Sequence, residues 1–174
     1  MKLTLIQWVM LCGLSFTAAA QTATVKPTSN VRIMENLELT REWDKTFPKS
    51  DKVNHSKVTF VNRYGVTLAA DMYVPKDAEG PLPAVAVCGP FGAVKEQASG
   101  LYAQTLAERG FLTIAFDPSF TGESGGTPRY VASPDINTED FCAAVDFLAT
   151  DDRVDAARIG ILGICGWGGL AVNA

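Results

Sequence analysis

Two short segments of this 174-residue sequence combine a nucleophilic side chain with closely spaced glycines. Residues 163–169 read G-I-C-G-W-G-G and contain Cys165, whereas residues 122–126 read G-E-S-G-G and place Ser124 in a G-x-S-x-G pattern. Glycines on either side of a Ser or Cys permit the sharp strand-to-helix turn that presents a nucleophile to a carbonyl carbon. Both segments are therefore candidates for acyl transfer through a covalent intermediate.

The neighbouring sequence separates the two candidates. Ser124 lies seven residues after the apolar run that ends at Asp117, and a Thr-Pro pair rather than a helix follows it. Cys165 directly follows the apolar run at 158–164 and directly precedes an apolar helix start. The strand–turn–helix context favours Cys165 as the nucleophile and gives Ser124 an ordinary turn role.

The residues next to Cys165 carry further expectations. Gly163 and Gly166 should remove side chains that would crowd a sharp turn. A thiol at the start of the following helix has its thiolate favoured, as a cysteine nucleophile requires. Trp167 is large for its position. Either the turn is locally wider, or the indole points outward and lines the pocket, and the sequence leaves both open.

An acyl-transfer site also needs backbone N–H groups that stabilise the oxyanion. The N–H of Gly166, the residue after the nucleophile, is one expected donor, and the loop at 89–93 should supply the other. Pro90 has no N–H, so Phe91 is the first choice in this loop and Gly92 the second. We expect neither a metal ion nor a cofactor in this site.

The pattern of apolar residues predicts the elements that position this site. Two runs of strand-type residues joined at Gly65 predict a β-hairpin, and three later apolar runs without alternation predict buried strands. Helical patterns lie between these runs, so we predict an α/β fold with a mostly parallel sheet and an antiparallel N-terminal hairpin. Ligands of such sheets bind beyond the carboxyl ends of the strands, here the loops at 88–94, 117–127 and 164–169.

Two helices should connect the later strands. The first is predicted at about 96–109, and the second is expected to begin near Asn137, which resembles a capping box together with Asp140. The expected inner face of the first helix consists of Ala98, Leu101, Tyr102 and Leu106.

The first twenty residues have the three parts of a signal peptide. Lys2 precedes the apolar run at 3–16, and small residues follow it up to Ala20. The run is too short to span a bilayer well, so we expect cleavage near Ala20, export to the periplasm or the medium, and no stable membrane anchor. Residues 21–56 are predicted to be a leader segment without chemistry, and residues 57–174 the N-terminal half of the α/β domain that contains the site.

Composition and cysteine content restrict the remaining possibilities. Hydrophobic residues make up 47% of the chain and charged residues 20%, as in a globular protein. The net charge of −4 argues against nucleic acid as a partner, and the sequence leaves the oligomeric state open. Cleavage would leave Cys88, Cys142 and Cys165, so at least one thiol stays free; the first two are expected to be buried apolar residues.

The strand-to-helix turn at 163–169, called the nucleophile elbow, and the segment at 115–126 together resemble the corresponding segments of the α/β-hydrolase superfamily. The cysteine elbow at 163–169 is similar to that of dienelactone-hydrolase-like enzymes, and residues 62–75 resemble the opening of Xaa-Pro-peptidase-like hydrolases. The resemblance covers 57–174 and implies hydrolysis of a small ester or lactone through an acyl group on Cys165. The loop at 89–93 lacks the activating acid of dienelactone hydrolases. That absence and Trp167 lend some weight to the second hypothesis, a non-catalytic binding protein of the same fold.

In this fold, the catalytic acid and the histidine follow the nucleophile in the chain. The nine residues after Cys165 contain neither, and the only histidine is His55, which is expected to be a surface residue. We therefore expect the chain to be the N-terminal part of a longer hydrolase, cut after the nucleophile turn and inactive by itself.

Overall fold

A computed structural model describes residues 35–174 of the chain. The expected signal peptide at 1–20, Cys12 within it, and the leader up to residue 34 lie outside the described residues. The elements, in chain order, are β1 Val53–Val61, β2 Thr67–Pro75, β3 Leu82–Cys88, α1 Ala98–Ala107, β4 Leu112–Phe116, α2 Pro134–Ala149, β5 Val154–Gly163 and α3 Trp167–Asn173.

The strands form one five-stranded sheet in the order β1-β2-β4-β3-β5. The β1–β2 and β2–β4 pairs are antiparallel, and β3 pairs in parallel with both β4 and β5. This arrangement confirms the predicted α/β fold with an N-terminal hairpin. Val87 lies opposite Ala115, and Cys88 lies opposite Gly163, so the carboxyl ends of the three parallel strands share one edge.

Apolar side chains cover both faces of this sheet. On one face, Phe141, Ala144 and Leu148 of α2 join residues of all five strands in the larger core cluster. On the other face, α1 and Phe47 pack against the sheet in a second cluster. The segment before β1 therefore contributes a buried side chain to the domain.

The predicted inner face of α1 is wrong. Leu101 and Tyr102 are 45% and 52% exposed, and the buried residues of the helix are instead Ser99, Gly100, Ala103, Gln104 and Ala107. A side chain at Gly100 would overlap the carbonyl oxygen of Lys95 and lie 3.0 Å from the Phe47 ring. The face of small residues is buried because it allows this close approach.

The predicted start of α2 is also wrong. The helix begins at Pro134, and its N-cap residue is Ser133. Asn137 and Asp140 lie inside the helix and are buried, where the Asp140 carboxylate accepts hydrogen bonds from Asn62, Ser119 and Asn137. Asp140 belongs to a buried network rather than to a helix end. Asn137 does both, because it donates to Asp140 and its Oδ1 accepts a hydrogen bond from the N–H of the N-cap residue Ser133 at 2.9 Å. Burial raises the pKa of Asp140 despite these hydrogen bonds.

The strand before Cys165 lies at the edge of the sheet. Within residues 35–174, β5 pairs only with β3, and most of its residues are partly or fully exposed rather than buried on both faces as predicted. None of the helices in this part of the chain is long and apolar enough to cross a membrane.

Candidate active site

Cys165 lies at the crest of a sharp turn between a strand and a helix. β5 ends at Gly163, α3 begins at Trp167, and Cys165 between them has a left-handed backbone with φ +58°. This conformation is strained for a residue with a side chain, and such residues concentrate at functional sites. The thiol is free and the residue is exposed, so a reagent in solution can reach the sulfur.

The two glycines beside Cys165 have different roles. A side chain at Gly163 would overlap the carbonyl group of Trp167 and lie 2.8 Å from the Cβ of Ala171, so Gly163 lets α3 pack back against β5. Gly166 has φ −57°, and a Cβ there would make only an ordinary contact with Phe91. The expectation that the turn needs Gly166 for steric reasons is therefore wrong.

The two expected oxyanion donors are neighbours in the structure. A Cβ at Gly166 would lie 3.6 Å from the Cβ of Phe91, so the loop after β3 contacts the turn after β5. Within residues 35–174, neither the N–H of Phe91 nor that of Gly166 donates a hydrogen bond. The N–H groups of these two neighbouring residues are therefore without a protein acceptor in the described part of the chain.

Trp167 lines a pocket from a buried position. The residue is 4% exposed, and its indole stacks on the Phe91 ring with centroids 6.0 Å apart and an interplanar angle of 22°. Gly89 makes room for it, because a Cβ there would lie 2.5 Å from Trp167 Cδ1. Trp167 does line the pocket, but the expectation that it would do so by pointing outward is wrong, because the indole is packed inward.

The pocket beside Trp167 has a volume of about 250 Å³. It lies between the loop after β3, the loop after β4 and the segment before α2. Its walls include Phe91, Val94, Pro118, Tyr130 and Val131. Tyr130 and Val131 were not predicted as pocket residues. The available signal was an aromatic and a β-branched residue side by side in a largely polar loop.

Ser124 has the structural role that its context predicts. It is 1% exposed; its hydroxyl donates to the carbonyl oxygen of Asp117 at 2.7 Å and accepts from the N–H of Ala69 at 2.8 Å. A hydroxyl buried and engaged in both directions cannot attack a substrate.

The other two described thiols differ from Cys165 in burial. Cys88 is fully buried at the end of β3, and burial raises the pKa of its thiol well above the usual value. Cys142 is partly buried on α2, and burial raises its pKa as well. Since the thiolate is the reactive form, neither residue competes with Cys165 as a nucleophile.

His55 is not the surface residue that was expected. It lies in β1, and its Nε2 is 2.8 Å from Oδ1 of Asp71, a carboxylate with no exposed area. The imidazole also packs against the rings of Trp43 and Tyr73. Four strand spacings of about 4.8 Å separate β1 from β5, roughly 19 Å in all, so His55 cannot serve as a base for Cys165.

A cluster of buried charges supports the loop after β3. The ammonium group of Lys95 is fully buried and lies 2.8 Å from Asp117, 2.6 Å from Glu96 and 2.7 Å from Glu123. The N–H of Lys95 also donates to Asp117 at 2.8 Å, which ties this loop to the end of β4. Lys95 was not predicted as a buried residue, because a single lysine in a loop belongs to no sequence pattern.

The same cluster is the one place among the described residues where carboxylates converge as they do around a metal ion. Oxygens of Asp44, Glu96 and Glu123 lie within 4.8 Å of one another. Lys57 and Lys95, however, both place an ammonium group 2.7 Å from Glu123. These two side chains occupy the position that a cation would take.

Comparison with known proteins supports a hydrolase fold. Residues 64–174 match the family described as X-Pro dipeptidyl-peptidase (S15 family). The uncharacterized protein PA2218 of Pseudomonas aeruginosa is 64% identical over 165 residues, which cover 94% of this chain and 43% of PA2218. The thiohydrolase aneE of Aspergillus aculeatus is 32% identical over 125 residues, 72% of this chain and 38% of aneE. The chain thus spans less than half the length of these curated relatives.

Two solved structures extend this comparison. The crystal structure of PA2218 matches with a TM-score of 0.79 and 70% identity, covering 80% of this chain and 44% of PA2218. The α/β hydrolase GrgF from a Penicillium species matches with a TM-score of 0.63 and 26% identity, covering 70% of this chain and 41% of GrgF. The match over residues 64–174 agrees with the order of the strands and with the turn at Cys165. The chain belongs to the X-Pro dipeptidyl-peptidase (S15) family of the α/β-hydrolase superfamily.

Proposed function

We propose that the protein is an exported hydrolase that cleaves small esters, lactones or thioesters through an acyl group on Cys165. One observation carries this proposal: the exposed Cys165 has a left-handed backbone in the turn after β5, and the next residue, Gly166, contacts Phe91. Within residues 35–174, the N–H groups of Gly166 and Phe91 donate no hydrogen bond. The similarity to a protein named as a thiohydrolase favours thioesters among the substrates.

The proposed reaction has two steps. The Cys165 thiol passes its proton to a base, and the thiolate attacks the carbonyl carbon and forms the S–C bond while the two N–H groups stabilise the negative charge on the carbonyl oxygen. The bond from this carbon to the alcohol oxygen or thiol sulfur then breaks, and the leaving group takes the proton from the base. Water then attacks the acyl carbon and releases the carboxylic acid, which breaks the S–C bond and returns the proton to sulfur. Sequence beyond Ala174 is proposed to supply the histidine and the acid that move these protons, since the relatives are more than twice as long.

Export is proposed on the sequence of residues 1–20 alone. The mass of the mature protein recovered from a bacterial periplasm tests it. A start at Gln21 is expected, and an intact Met1 in the cytoplasm would contradict export.

Acylation of the thiol by p-nitrophenyl acetate tests the role of Cys165. We expect one acetyl group per chain on the peptide that contains Cys165, detected by mass spectrometry, and none on that peptide in Cys165→Ala. Cys142→Ala is the matched control and should acylate like the parent, because this thiol is partly buried and its pKa is raised by burial. Equal labelling of Cys142 and Cys165, or none at all, would overturn the assignment.

A non-catalytic binding protein remains the second candidate. It is favoured by one observation: the loop at 89–93, which contacts Gly166, contains no acidic side chain that could activate the thiol of Cys165. Turnover by a chain of the relatives' full length separates the two proposals. Steady release of p-nitrophenol supports the hydrolase, whereas a single acylation without turnover supports the binding protein.

A further inference from the structure

The loop after β3 leads to a buried lysine whose side chain takes no part in the proposed reaction. We infer that Lys95 is a positioning residue: its ion pair with Asp117 holds this loop so that Phe91 stays against Gly166, where the Phe91 N–H can serve as an oxyanion donor. The inference rests on the proposed function, because an oxyanion forms only if Cys165 is acylated.

The loop between β3 and α1 is attached to the rest of the domain on both sides of Phe91. Before it, the N–H of Ile164 donates to the carbonyl oxygen of Cys88 at 3.0 Å, which joins the end of β3 to the turn after β5. After it, the N–H and the ammonium group of Lys95 each lie 2.8 Å from an oxygen of Asp117. Phe91 is three residues from the first attachment and four from the second, so its position depends on both.

The middle of this loop has few contacts that could replace the attachment at Lys95. Among the residues that the structure describes, the one backbone hydrogen bond inside 89–93 joins the N–H of Ala93 to the carbonyl oxygen of Pro90 at 3.1 Å. Phe91 is 64% exposed, and its ring stacks on Trp167. A segment with few buried contacts opens at low cost, so release of the attachment should let Phe91 move relative to the turn after β5.

Asp117 is a fixed point because it follows a central strand of the sheet. β4 pairs with β2 on one side and β3 on the other, and the N–H of Asp117 donates to the carbonyl oxygen of Ala69 at 3.0 Å. Its carboxylate has no exposed area and also accepts a hydrogen bond from the N–H of Glu123 at 3.0 Å. A Cβ at Gly122 would overlap this carboxylate. Lys95 therefore joins its loop to a group that the sheet and the loop after β4 both hold in place.

The charge of Lys95 is what makes the attachment strong. Burial by itself lowers the pKa of Lys95, but the charge of Asp117 and hydrogen bonds to Asp117, Glu123 and Glu96 outweigh it and raise the pKa above the usual value. The ammonium group thus stays protonated, and charge-assisted hydrogen bonds are stronger than neutral ones. Lys95→Met keeps an unbranched side chain of similar length and removes all of these hydrogen bonds.

The test compares two reactions of Cys165 in the same protein, each followed by mass spectrometry of the peptide that contains it. Acylation by p-nitrophenyl acetate places a negative charge on the carbonyl oxygen and should depend on the N–H of Phe91, whereas alkylation by iodoacetamide displaces iodide and forms no oxyanion. Both reactions consume the thiolate, so the ratio of their rates is insensitive to changes in the pKa or exposure of the thiol. Lys95→Met should lower the ratio of acylation to alkylation at least about tenfold.

A matched control and a double variant separate positioning from loss of stability. Lys45→Met also removes a fully buried ammonium group, which lies 3.0 Å from the fully buried carboxylate of Asp71, and this ion pair includes no residue of the loop after β3. Its ratio should stay close to that of the parent. Lys95→Met/Asp117→Asn leaves neither charge of the pair behind, so it should fold even where Lys95→Met does not. Its ratio should be as low as that of Lys95→Met, because the two residues act through one attachment.

The outcomes distinguish this inference from the proposed function. A ratio equal to that of the parent in both Lys95 variants, or one that falls equally in Lys45→Met, would overturn the positioning role while Cys165 remains the acylated residue. If Cys165 of the parent is alkylated by iodoacetamide but never acylated by the ester, the proposed function fails, and the role of Lys95 fails with it.

Discussion

Gly89 and Trp167 are in such close contact that a methyl group on Gly89 would lie 2.5 Å from Cδ1 of the indole. This contact joins the loop after β3 to the first residue of α3, and it explains how a large side chain fits two residues after the turn. Gly89 also has φ +99°, so both its backbone and its surroundings require glycine.

Gly89→Ala should therefore destabilise the protein by about 3 kcal/mol, from backbone strain together with overpacking against Trp167 and Ile164. The measurement is the free energy of unfolding in urea. Gly110→Ala is the matched control, since Gly110 has φ +96° and nothing within 4 Å of the added atom. This variant should lose only about 1 kcal/mol of unfolding free energy, from backbone strain alone. Equal losses in the two variants would show that the indole contact has no energetic effect.

Gly163→Ala should displace α3 from the sheet. The added methyl group would overlap the Trp167 carbonyl group, and we expect a loss of roughly 2 kcal/mol in unfolding free energy. Gly160→Ala lies in the same strand with no atom within 4 Å and should change stability by less than about 0.5 kcal/mol. If α3 detaches locally, the amides of residues 167–173 should exchange faster in Gly163→Ala than in the parent. Exchange and stability equal to those of the parent would contradict the steric role of Gly163.

Asp140→Ala should cost about 3 kcal/mol of stability. The carboxylate accepts four hydrogen bonds from buried donors, and its removal leaves Ser119 and Asn137 without this acceptor. The check is again urea unfolding, with Asp146→Ala on the exposed face of α2 as control, expected within about 0.5 kcal/mol of the parent. A loss no greater than that of the control would mean that burying the charge offsets its hydrogen bonds.

Glu123 should make stability depend on acid pH. Burial raises its pKa, but hydrogen bonds from the ammonium groups of Lys57 and Lys95 outweigh this and lower it to about 2. Because the folded pKa is below the unfolded value of 4.5, the stabilisation is complete above that pH and disappears as the pH falls toward 2. Glu123→Gln should lose about 1–2 kcal/mol near neutral pH, after allowance for solvent screening.

Urea unfolding at several pH values measures this effect. The difference between the parent and Glu123→Gln should shrink as the solution is acidified, whereas the exposed Glu108→Gln should remain close to the parent throughout. A difference that stays constant from about pH 6 to about pH 3 would contradict the shifted pKa.

Elements with a strong local pattern were predictable from the sequence. The apolar runs of β3 and β4 and the hairpin around Gly65 follow from rules that act within a few residues, and the structure contains all three. The end of β5 and the start of α3 on either side of Cys165 follow from the same kind of signal. The catalytic role of Cys165 stays a prediction.

The errors occurred where distant residues decide burial. The inner face of α1 was assigned to its largest apolar residues, but the contact of Gly100 with Phe47 turned the small-residue face inward. Asn137 and Asp140 looked like residues of a helix end, yet partners as far away as Asn62 hold them in a buried network. His55 belongs to no sequence motif, and its contact with Asp71 exists only because β1 and β2 are neighbours in the sheet.

By itself, the sequence determined the class of fold, the turn at Cys165 and the structural role of Ser124. The period of the hydrophobic residues, the positions of the glycines and the succession of strands and helices can all be read along the chain. Only the tertiary structure decided that Trp167 packs on Gly89, that Lys95 is buried against Asp117, and that the loops after β3 and β4 enclose a small apolar pocket. These contacts join segments far apart in the chain, and their geometry depends on how the sheet brings the loops together.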